Sequence, residues 1–462
     1  MDPRPLQFIV QACAGQLVRG DGAALVRRVN TDSRAAQPGD VFVALTGERF
    51  DGHDFLAEVA DKGAVAVVVK AGRPRPEPAC AVIEVDDPRA ALGRLAGAYR
   101  REFTLPVVAI AGSNGKTTTK DMLGTVLGRR FNTLASEASF NNDIGVPLTL
   151  LRLRAEHAAA VLEAGTNHPG ELAPLLALIR PRYGIITSLG REHLEFFGDL
   201  AGVVREEGML AEALPADGAL FLEGDGAFAA ELAARTRARV VRVGFGDGND
   251  WRVTRAYPSQ EGTLFHVTAP RAELGGEYRV PLLGRHQVLN ALYVLAAGAE
   301  LGLTRAELQT GLAAVTPPPH RLQLREWNGV RILDDCYNAN PDSMLAALAA
   351  LAEFPAKGRK LAVLGDMGEQ GAHAEAAHRE VGRRAAESGV GQLLAVGQHA
   401  AVMAAAARAA GLNRALEFAD AAGAAAALRQ FLKPGDVLLV KASRAARLER
   451  LFPLLDGEGG GA

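Results

Sequence analysis

The stretch VVAIAGSNGKTTTKDMLGTVL, residues 107–127, decides the fold of the middle of the chain. Its first five residues are all apolar, as is typical of a central parallel strand that is covered on both faces. A glycine turn follows, and apolar residues then return at helical spacing, which gives the next helix one buried face. The pattern therefore predicts a strand, a tight turn and a helix in direct succession.

The turn has the residue types of a triphosphate site. Its glycines let successive backbone N–H groups point at one anion, and the N-terminus of the following helix adds positive potential. A lysine at position 116 reaches the β- and γ-phosphates, and the next threonine offers a hydroxyl to Mg²⁺. The common GxxxxGK[ST] loop has a glycine where this chain has Ile110, so the loop is a shorter GxxGKTT variant. We predict an ATP site formed by Gly112, Ser113, Asn114, Gly115, Lys116, Thr117 and Thr118.

The composition excludes several classes of protein. The formal net charge of the 462 residues is −2, which gives no electrostatic reason to expect nucleic acid or an anionic membrane as partner. The three cysteines form no CxxC pair, so neither a disulfide framework nor a zinc site is expected. No apolar run reaches the roughly 18 residues that a membrane-spanning helix needs. We expect a cytoplasmic protein that acts as a monomer.

The remaining sequence predicts an α/β protein of three domains. Residues 1–88 form an N-terminal mixed α/β domain that binds a substrate, and VFVAL, 41–45, is one of its predicted short buried strands. A helix predicted at 89–101 leads from this domain to the strand at 107–111. Residues 89–317 alternate strand and helix, as in a P-loop-type ATPase domain with a parallel sheet, and a glycine-punctuated stretch at 240–281 extends that sheet. Within it GFGDG, 244–248, lacks the spacing of a dinucleotide fingerprint and predicts only a β-turn. Residues 318–462 form a Rossmann-like domain with a glycine-rich, frayed end.

Further motifs carry a resemblance to a known family. They are TDSRAAQPGDVFVALTGERFDGHDF, NNDIGVPLTLL, EAGTNHPGEL, DDCYNANPDSM, LGDMGEQG and KASR. With the phosphate loop, they resemble the Mur ligase family of ATP-dependent peptide-bond-forming enzymes over nearly the whole chain. DGHDF, NHPGEL and YNANPDSM resemble the branch that adds D-alanyl-D-alanine. The resemblance implies that the chain joins this dipeptide to UDP-N-acetylmuramoyl-tripeptide, using ATP and Mg²⁺, through an acyl phosphate.

The resemblance also implies catalytic and metal-binding residues near the turn. Lys116, Glu163 and His193 would be catalytic; Thr117 and Glu163 would hold one Mg²⁺, and His193 a second. Glu163 ends the strand AAAVLE, which places it at the same sheet edge as the phosphate loop. Many relatives have a carbamylated lysine near the second metal where this chain has Glu207. Either Glu207 supplies the charge of the carbamate, or it is a surface helix residue and the second metal is weak or absent.

Other binding residues are implied by the resemblance alone. Adenosine and the phosphates would contact Asn290, Arg321 and Asp335; Gln287 stands in place of the first asparagine of the family's HNxxN helix, and Asn290 is the second. The uridine diphosphate end would contact Ser33, Arg34, Phe50, Gly52 and His53. The sugar phosphate would contact Asn141 and Asn142, and the peptide Asn167 and His168. The D-alanyl-D-alanine carboxylate would contact Lys441, Ser443 and Arg444.

Alternatives stay open at this point. Another Mur-family ligase would add a diamino acid or glutamate instead. A P-loop kinase or NTPase would need no amine, but it would leave the first and last domains without a purpose. A non-catalytic binding module is disfavoured by the intact Lys116, Thr117 and Glu163. Substrates held on three domains imply domain closure, with hinges near Pro88 and Thr316–Pro319.

Overall fold

Three large sheets organise the chain, which confirms the predicted α/β class. The computed structural model describes residues 1–74 and 78–457, so the glycine-rich end beyond Gly457 lies outside the described residues. None of the helices in these two ranges is long and apolar enough to cross a bilayer. The predicted domain boundaries at 88/89 and 317/318 stay predictions.

The first sheet has five strands in the order β2-β7-β6-β5-β4, all parallel except β2. Its elements are β1 (Arg4–Pro5), α1 (Leu6–Ala12), β2 (Gln16–Arg19), β3 (Leu25–Val26), β4 (Arg28–Asn30), β5 (Asp40–Val43), α2 (Leu56–Asp61), β6 (Ala66–Lys70) and β7 (Ala81–Val85). The short strands β1 and β3 pair separately. Asp40 begins β5 although it is charged, because Arg28 on the paired strand binds its carboxylate at 2.6 and 2.8 Å.

The central sheet has nine strands in the order β16-β15-β14-β13-β12-β11-β8-β10-β9. Its elements up to the fifth strand are α3 (Pro88–Arg100), β8 (Val107–Ala111), α4 (Lys116–Leu127), β9 (Thr133–Ala135), α5 (Gly145–Leu150), β10 (Ala159–Glu163), α6 (Leu172–Ile179), β11 (Tyr183–Ile186), α7 (Leu194–Phe197), α8 (Leu200–Glu207), α9 (Met209–Ala213) and β12 (Ala219–Glu223). The remainder are α10 (Ala229–Ala234), β13 (Arg239–Gly244), β14 (Trp251–Ser259), β15 (Gly262–Thr268), β16 (Gly276–Val280), α11 (Arg285–Glu300) and α12 (Arg305–Ala313). The strands are parallel from β9 to β14, and β15 and β16 continue the sheet antiparallel.

The last sheet has six strands in the order β17-β18-β22-β19-β20-β21, all parallel except β17. Its elements are β17 (Gln323–Trp327), β18 (Val330–Asp335), α13 (Pro341–Glu353), β19 (Lys360–Gly365), α14 (Ala374–Glu387), β20 (Gln392–Val396), α15 (Ala400–Ala409), β21 (Ala415–Phe418), α16 (Ala421–Phe431), β22 (Val437–Lys441) and α17 (Leu451–Leu455). Helices cover both faces, as expected for a doubly wound sheet.

Packing ties these parts together and sets the place of the site. One hydrophobic cluster runs from α1 through α3 to the central strands β8 and β10, so the first domain shares a core with the second. All five residues of β8 are buried, which fits the apolar run that predicted this strand. In parallel sheets ligands bind beyond the carboxyl ends of the strands. The carboxyl ends of β8, β10 and β11 face those of β18 and β22 across a cleft.

Candidate active site

A cavity of about 1500 Å³ fills the cleft between the central and C-terminal domains. Its wall brings together most of the residues predicted for ATP, metal, tripeptide and dipeptide. These are Ser113, Asn114, Gly115, Lys116, Thr117, Thr118, Asn141, Asn142, Glu163, Asn167, His193, Asn290, Arg321, Asp335, Lys441, Ser443 and Arg444. Gly112, at the start of the phosphate loop, and Glu207, at the end of α8, lie behind this wall, where the Gly112 N–H donates to the Glu207 carboxylate.

Two glycines shape the phosphate loop. Gly112 and Gly115 have φ angles of 114° and 90°, which only glycine adopts readily. A Cβ on Gly115 would lie 2.6 Å from Oδ1 of Asn290, and one on Gly112 would overlap the Thr187 side chain. Lys116 begins α4 and turns back to donate a hydrogen bond to the Gly112 carbonyl. The backbone path of the loop therefore depends on these two glycines.

Three carboxylates surround the Lys116 ammonium. Glu163, Glu192 and Glu207 are 1%, 6% and 0% exposed, and Nζ of Lys116 lies 3.6 Å from Oε2 of Glu192. Burial lowers the pKa of Lys116, but Glu192, Glu207 and Glu163 outweigh this effect, so the net shift is upward. The lysine therefore stays charged. Glu192 was not predicted from the sequence, although it directly precedes the predicted His193.

The same carboxylates are incompletely bonded. Asn141 donates to Oε1 of Glu163 at 2.7 Å, and the Gly112 N–H donates to Oε2 of Glu207 at 2.6 Å. Among the described residues, Oε2 of Glu163, Oε1 of Glu192 and Oε1 of Glu207 are buried without a hydrogen-bond partner. Buried charges need pairing, and hard oxygen atoms are the ligands that Mg²⁺ prefers. The donor set therefore fits a divalent cation.

Glu207 is not a surface helix residue, so that part of the alternative is wrong; a second metal at Glu207 stays a prediction. It ends α8 with its side chain fully buried beneath the phosphate loop. Burial raises the pKa of Glu207 to about 8; nearby Lys116 lowers it in part, and Glu192 raises it further. The neighbouring Glu206 points elsewhere and accepts the N–H groups of Gly170 and Leu172 at 2.8 Å.

His193 is held by a residue of the C-terminal domain. Its Nδ1 lies 2.5 Å from Oε2 of Glu369, and its Nε2 lies 4.0 Å from Oε2 of Glu192. The bond to His193 lowers the pKa of Glu369. His193 and Glu369 have positive backbone φ angles, 47° and 56°, and residues other than glycine adopt such angles at an energetic cost. No local sequence pattern indicates this pair, because His193 and Glu369 are far apart along the chain.

Other polar contacts close the C-terminal domain onto the phosphate loop. Arg321 donates to Oγ1 of Thr117 at 3.1 Å and stacks on the ring of Tyr337. Asn340 donates to Oδ1 of Asn114 at 2.9 Å. Another interdomain contact joins the guanidinium of Arg191 to Asp342 at 2.7 Å and to Glu380 at 2.5 Å. The loop therefore meets the C-terminal domain in this arrangement.

The predicted adenosine residues form one end of the cavity. Asn290 and Gln287 are buried, and Asn290 donates to Oε1 of Gln287 at 3.0 Å. Phe245 and Arg285 line the same end, with the guanidinium carbon of Arg285 3.6 Å from the Phe245 ring centroid. The stretch that predicted only a β-turn thus contributes an aromatic wall. Its position after the parallel strand β13 was the one available signal.

The predicted dipeptide residues line another part of the cavity. Lys441 is buried and bound to Oδ2 of Asp335 at 2.6 Å and to the Asn338 carbonyl at 2.9 Å. The N–H of Ser443 donates to the carbonyl of Asp366, and Arg444 binds Glu449 at 3.1 Å. Asp335 therefore serves as the counter-ion of Lys441 in this structure.

The residues predicted for the uridine end do not line this cavity. Ser33 and Gly52 lie in short 3₁₀ turns, and Arg34 pairs with Asp32. Phe50 is 75% exposed. His53 is buried, with Nδ1 bound to Asp51 at 2.7 Å and Nε2 accepting the Lys70 N–H, so its ring is fully engaged. Their role toward a ligand stays a prediction.

His168 also lies off the cavity wall, unlike its neighbour Asn167. Its ring packs on Phe196 and its Nδ1 lies 3.1 Å from Glu171. It is half exposed, beside the wall that Asn167 and Glu171 form. A peptide contact by His168 stays a prediction.

Comparison with known proteins agrees with this arrangement. Family models match three consecutive segments: the Mur ligase family catalytic domain over residues 25–100, the Mur ligase middle domain over 110–298, and the Mur ligase, glutamate ligase domain over 320–444. The UDP-N-acetylmuramoyl-tripeptide--D-alanyl-D-alanine ligase of Escherichia coli K12 is 38% identical, with 93% of this chain and 94% of the relative covered. The chain belongs to the Mur ligase family. The Mur ligase of the same name from Bacillus subtilis 168 is 34% identical, with 92% of each chain covered.

Solved Mur ligase structures share the whole fold. A MurF crystal structure from Acinetobacter baumannii has a TM-score of 0.89 and 32% identity, with 98% of each chain covered. The Thermotoga maritima MurF ligase in complex with ADP has a TM-score of 0.82 and 28% identity, covering 94% of this chain and 98% of its own. The Mur-family arrangement of three domains therefore extends over this chain.

Proposed function

We propose that this Mur ligase joins D-alanyl-D-alanine to UDP-N-acetylmuramoyl-tripeptide, with ATP converted to ADP and phosphate, in the synthesis of peptidoglycan precursors. The observation that carries the proposal is the single cavity that combines the phosphate loop, a buried acidic cluster and the KASR segment 441–444. Identities of 34% and 38% to relatives of that name, over more than nine-tenths of each chain, support the same substrates. The protein acts in the cytoplasm, where ATP and nucleotide sugars are available, as a monomer.

The chemistry has two steps that both concentrate negative charge. An oxygen of the tripeptide carboxylate attacks the γ-phosphorus, and the bond from that phosphorus to ADP breaks. The dipeptide amine then attacks the acyl carbon, the bond to phosphate breaks, and the amine loses a proton. Lys116 and the N–H groups of the loop stabilise the charge of the transferring phosphoryl group. Arg321 adds a second cation from the C-terminal domain, 3.1 Å from the Thr117 hydroxyl.

Thr117 and Glu163 would hold Mg²⁺ next to the loop, and His193 and Glu207 would hold a second ion. When bound, Mg²⁺ neutralises charge on the β- and γ-phosphates. The unpartnered oxygens of Glu163 and Glu207 support this assignment, and Glu192 belongs to the same donor set. Asn141 orients Glu163 through its 2.7 Å hydrogen bond.

The substrates would take the remaining surfaces. The dipeptide carboxylate would bind Lys441, Ser443 and Arg444, and the tripeptide would pass Asn141, Asn142, Asn167 and His168. The uridine diphosphate end would reach Ser33, Arg34, Phe50, Gly52 and His53 of the first domain. Adenosine would lie beside Asn290 and Asp335, against the Phe245 ring.

Phosphate release tests the proposal. We expect ATP-dependent release that requires both the muramyl tripeptide and D-alanyl-D-alanine, and at least about 100-fold less release by Lys116→Ala, because a cation at the transferring group is lost. Lys357→Ala, at an exposed lysine, is the control and should match the parent. Release with a diamino acid or glutamate as acceptor, but not with the dipeptide, would contradict the assigned substrate. Parental rates in Lys116→Ala would contradict the assigned mechanism.

A further inference from the structure

Three side chains form a cluster in the C-terminal domain outside the catalytic groups. Asp366 follows β19, His378 lies on α14, and His399 follows β20. One ligand atom from each lies within 4.8 Å of the others. Asp366 is also the first residue of the segment 366–370, which we call the acceptor turn.

His378 clamps the acceptor turn to the start of α14. The residue is fully buried, and its Nδ1 lies 2.6 Å from the Ala374 carbonyl, so this nitrogen carries the proton. Its Nε2 accepts the backbone N–H of Met367 at 3.0 Å. Burial lowers the pKa of His378, which keeps the ring neutral and Nε2 an acceptor. An apolar residue here would leave the Met367 N–H without this partner.

His399 and Asp366 complete the clamp from the other side. Asp366 accepts the backbone N–H groups of Gln398 and His399 at 2.8 and 3.0 Å and lies 3.1 Å from Nδ1 of His399. A Cβ on Gly397 would overlap the Asp366 carboxylate, and this glycine has a φ of 110°. The close packing fixes Asp366 at the base of the turn.

The cluster does not have the geometry of a metal site. The rings of His378 and His399 are stacked, with centroids 4.2 Å apart and planes inclined by 13°. A metal bound to a histidine nitrogen lies near the plane of that ring, and two stacked planes share no such position. Nε2 of His378 also already accepts the Met367 N–H. The donor atoms are therefore used to hold backbone.

The acceptor turn connects the cluster to the cavity, because residues of the turn line the cavity wall. Gly368, Glu369 and Gln370 all line the cavity, and Glu369 binds His193. The carbonyl of Asp366 accepts the Ser443 N–H at 2.9 Å, so the turn also fixes the KASR segment. Gln370 is 2% exposed, and its Oε1 has no hydrogen-bond partner among the described residues. The turn and Ser443 thus form one polar wall.

We propose that His378 is a positioning residue that holds the acceptor turn in place and thereby sets the binding of the D-alanyl-D-alanine dipeptide at the wall formed with Ser443. The inference rests on the proposed ligase function and adds the turn to the dipeptide site. His378 itself touches no substrate. It acts through the Met367 N–H, while Asp366 transmits the same restraint to Ser443.

Steady-state kinetics of two variants test the role. His378→Leu fills the space without an acceptor, and we expect the KM for D-alanyl-D-alanine to rise about tenfold, the scale of one lost hydrogen bond to a buried N–H. The KM for ATP should stay within about twofold, because no cluster residue touches the phosphate loop. His378→Gln supplies an amide oxygen for Met367 and should return the dipeptide KM to within about threefold of the parent.

A matched control separates positioning from stability. Val381→Ala removes apolar volume one turn further along α14, where the side chain is fully buried, and should lower the melting temperature with no change in dipeptide KM. If His378→Leu does not fold, His399→Leu on the half-exposed side of the cluster should raise the dipeptide KM about threefold.

Several outcomes would overturn the inference. A folded His378→Leu protein with the parental dipeptide KM would do so, as would equal increases in the ATP and dipeptide KM values. A Val381→Ala protein with the same dipeptide defect would point to stability alone. Failure of the parent itself to couple the dipeptide would instead refute the proposed function.

Discussion

Replacing Glu207 by glutamine tests how this site accommodates a buried acid. The side chain is fully buried, and its Oε2 accepts the Gly112 N–H at 2.6 Å. A glutamine oxygen can keep this hydrogen bond, but the side chain cannot ionise. Glu207→Gln therefore removes the charge and leaves the contact with the phosphate loop in place.

The size and the pH dependence of the effect follow from the raised pKa. Burial raises the pKa of Glu207 from 4.5 to about 8, so between these values the folded protein binds more protons than the unfolded chain. Stability then falls as the pH rises through this window, by at most roughly 5 kcal/mol once the pH exceeds 8. A glutamine side chain does not ionise, so the stability of Glu207→Gln should not fall for this reason as the pH rises. For a chain of this length about 1 kcal/mol corresponds to about 1 °C in melting temperature.

The assay is thermal unfolding in buffer with EDTA and without nucleotide, at pH 5, 7 and 9. We expect Glu207→Gln to match the parent at pH 5 and to melt up to about 5 °C higher at pH 9. Glu206→Gln is the matched control: its carboxylate accepts two backbone N–H groups, so the same substitution next door should lower the melting temperature. A Glu207→Gln melting temperature no higher than the parent's at pH 9, or equally higher at pH 5, would refute the reasoning.

The same variant also tests whether Glu207 binds a second Mg²⁺ or only accepts the Gly112 N–H. If Glu207 binds a second Mg²⁺, Glu207→Gln will need a higher Mg²⁺ concentration for half-maximal phosphate release. If it only holds the loop at Gly112, that concentration will stay at the parental value. Titration of Mg²⁺ at saturating ATP distinguishes the two results.

Three further substitutions have distinct expected outcomes. Phe245→Ala should raise the KM for ATP about tenfold through loss of a stacked base, with the dipeptide KM unchanged; equal ATP affinity in steady-state kinetics would remove Phe245 from the adenosine site. Lys441→Met leaves the Asp335 carboxylate without its counter-ion and should lower kcat/KM for the dipeptide at least about tenfold, which acceptor titration measures. Asp342→Ala removes one of the two carboxylates of the C-terminal domain that bind Arg191, so the substrate-bound enzyme should be less compact in small-angle scattering; an unchanged radius of gyration would show that this contact has no role in closure.

Elements of continuous or periodic hydrophobicity could be predicted from the sequence because their burial is local. The strand at 107–111 is apolar throughout and occupies the centre of the sheet, and the helix expected at 89–101 is present as Pro88–Arg100. The strand expected at 41–45 instead begins at Asp40. This buried carboxylate binds Arg28 on the neighbouring strand and accepts the Gln37 N–H. Such pairing depends on tertiary structure, so it cannot be predicted from the local pattern of hydrophobic residues.

The residues of the candidate site also fall into those that could be predicted from the sequence and those that could not. The residues of the phosphate loop and Glu163 were predictable because the loop follows an apolar strand and Glu163 ends another, and parallel strands bring those ends together. Glu192, Glu369 and Phe245 were not, because their partners are distant in sequence. Phe245 in particular sits in a stretch whose local pattern indicates a turn. It joins the cavity only because β13 ends at that edge and Arg285 stacks on it.

The balance of charge around Lys116 explains why this site needs both a cation and a second domain. Glu163 and Glu192 lie around a single lysine, and burial raises the pKa of Glu207 to about 8, so this carboxyl is mostly protonated at neutral pH. A triphosphate brings several more negative charges into the same low-dielectric space, where repulsion is strong. Lys116 alone cannot offset them. Arg321 reaches Thr117 only when the C-terminal domain meets the loop. A divalent cation and Arg321 of the C-terminal domain both offset the negative charge of the triphosphate. Cation binding and contact between the domains should therefore each favour the other.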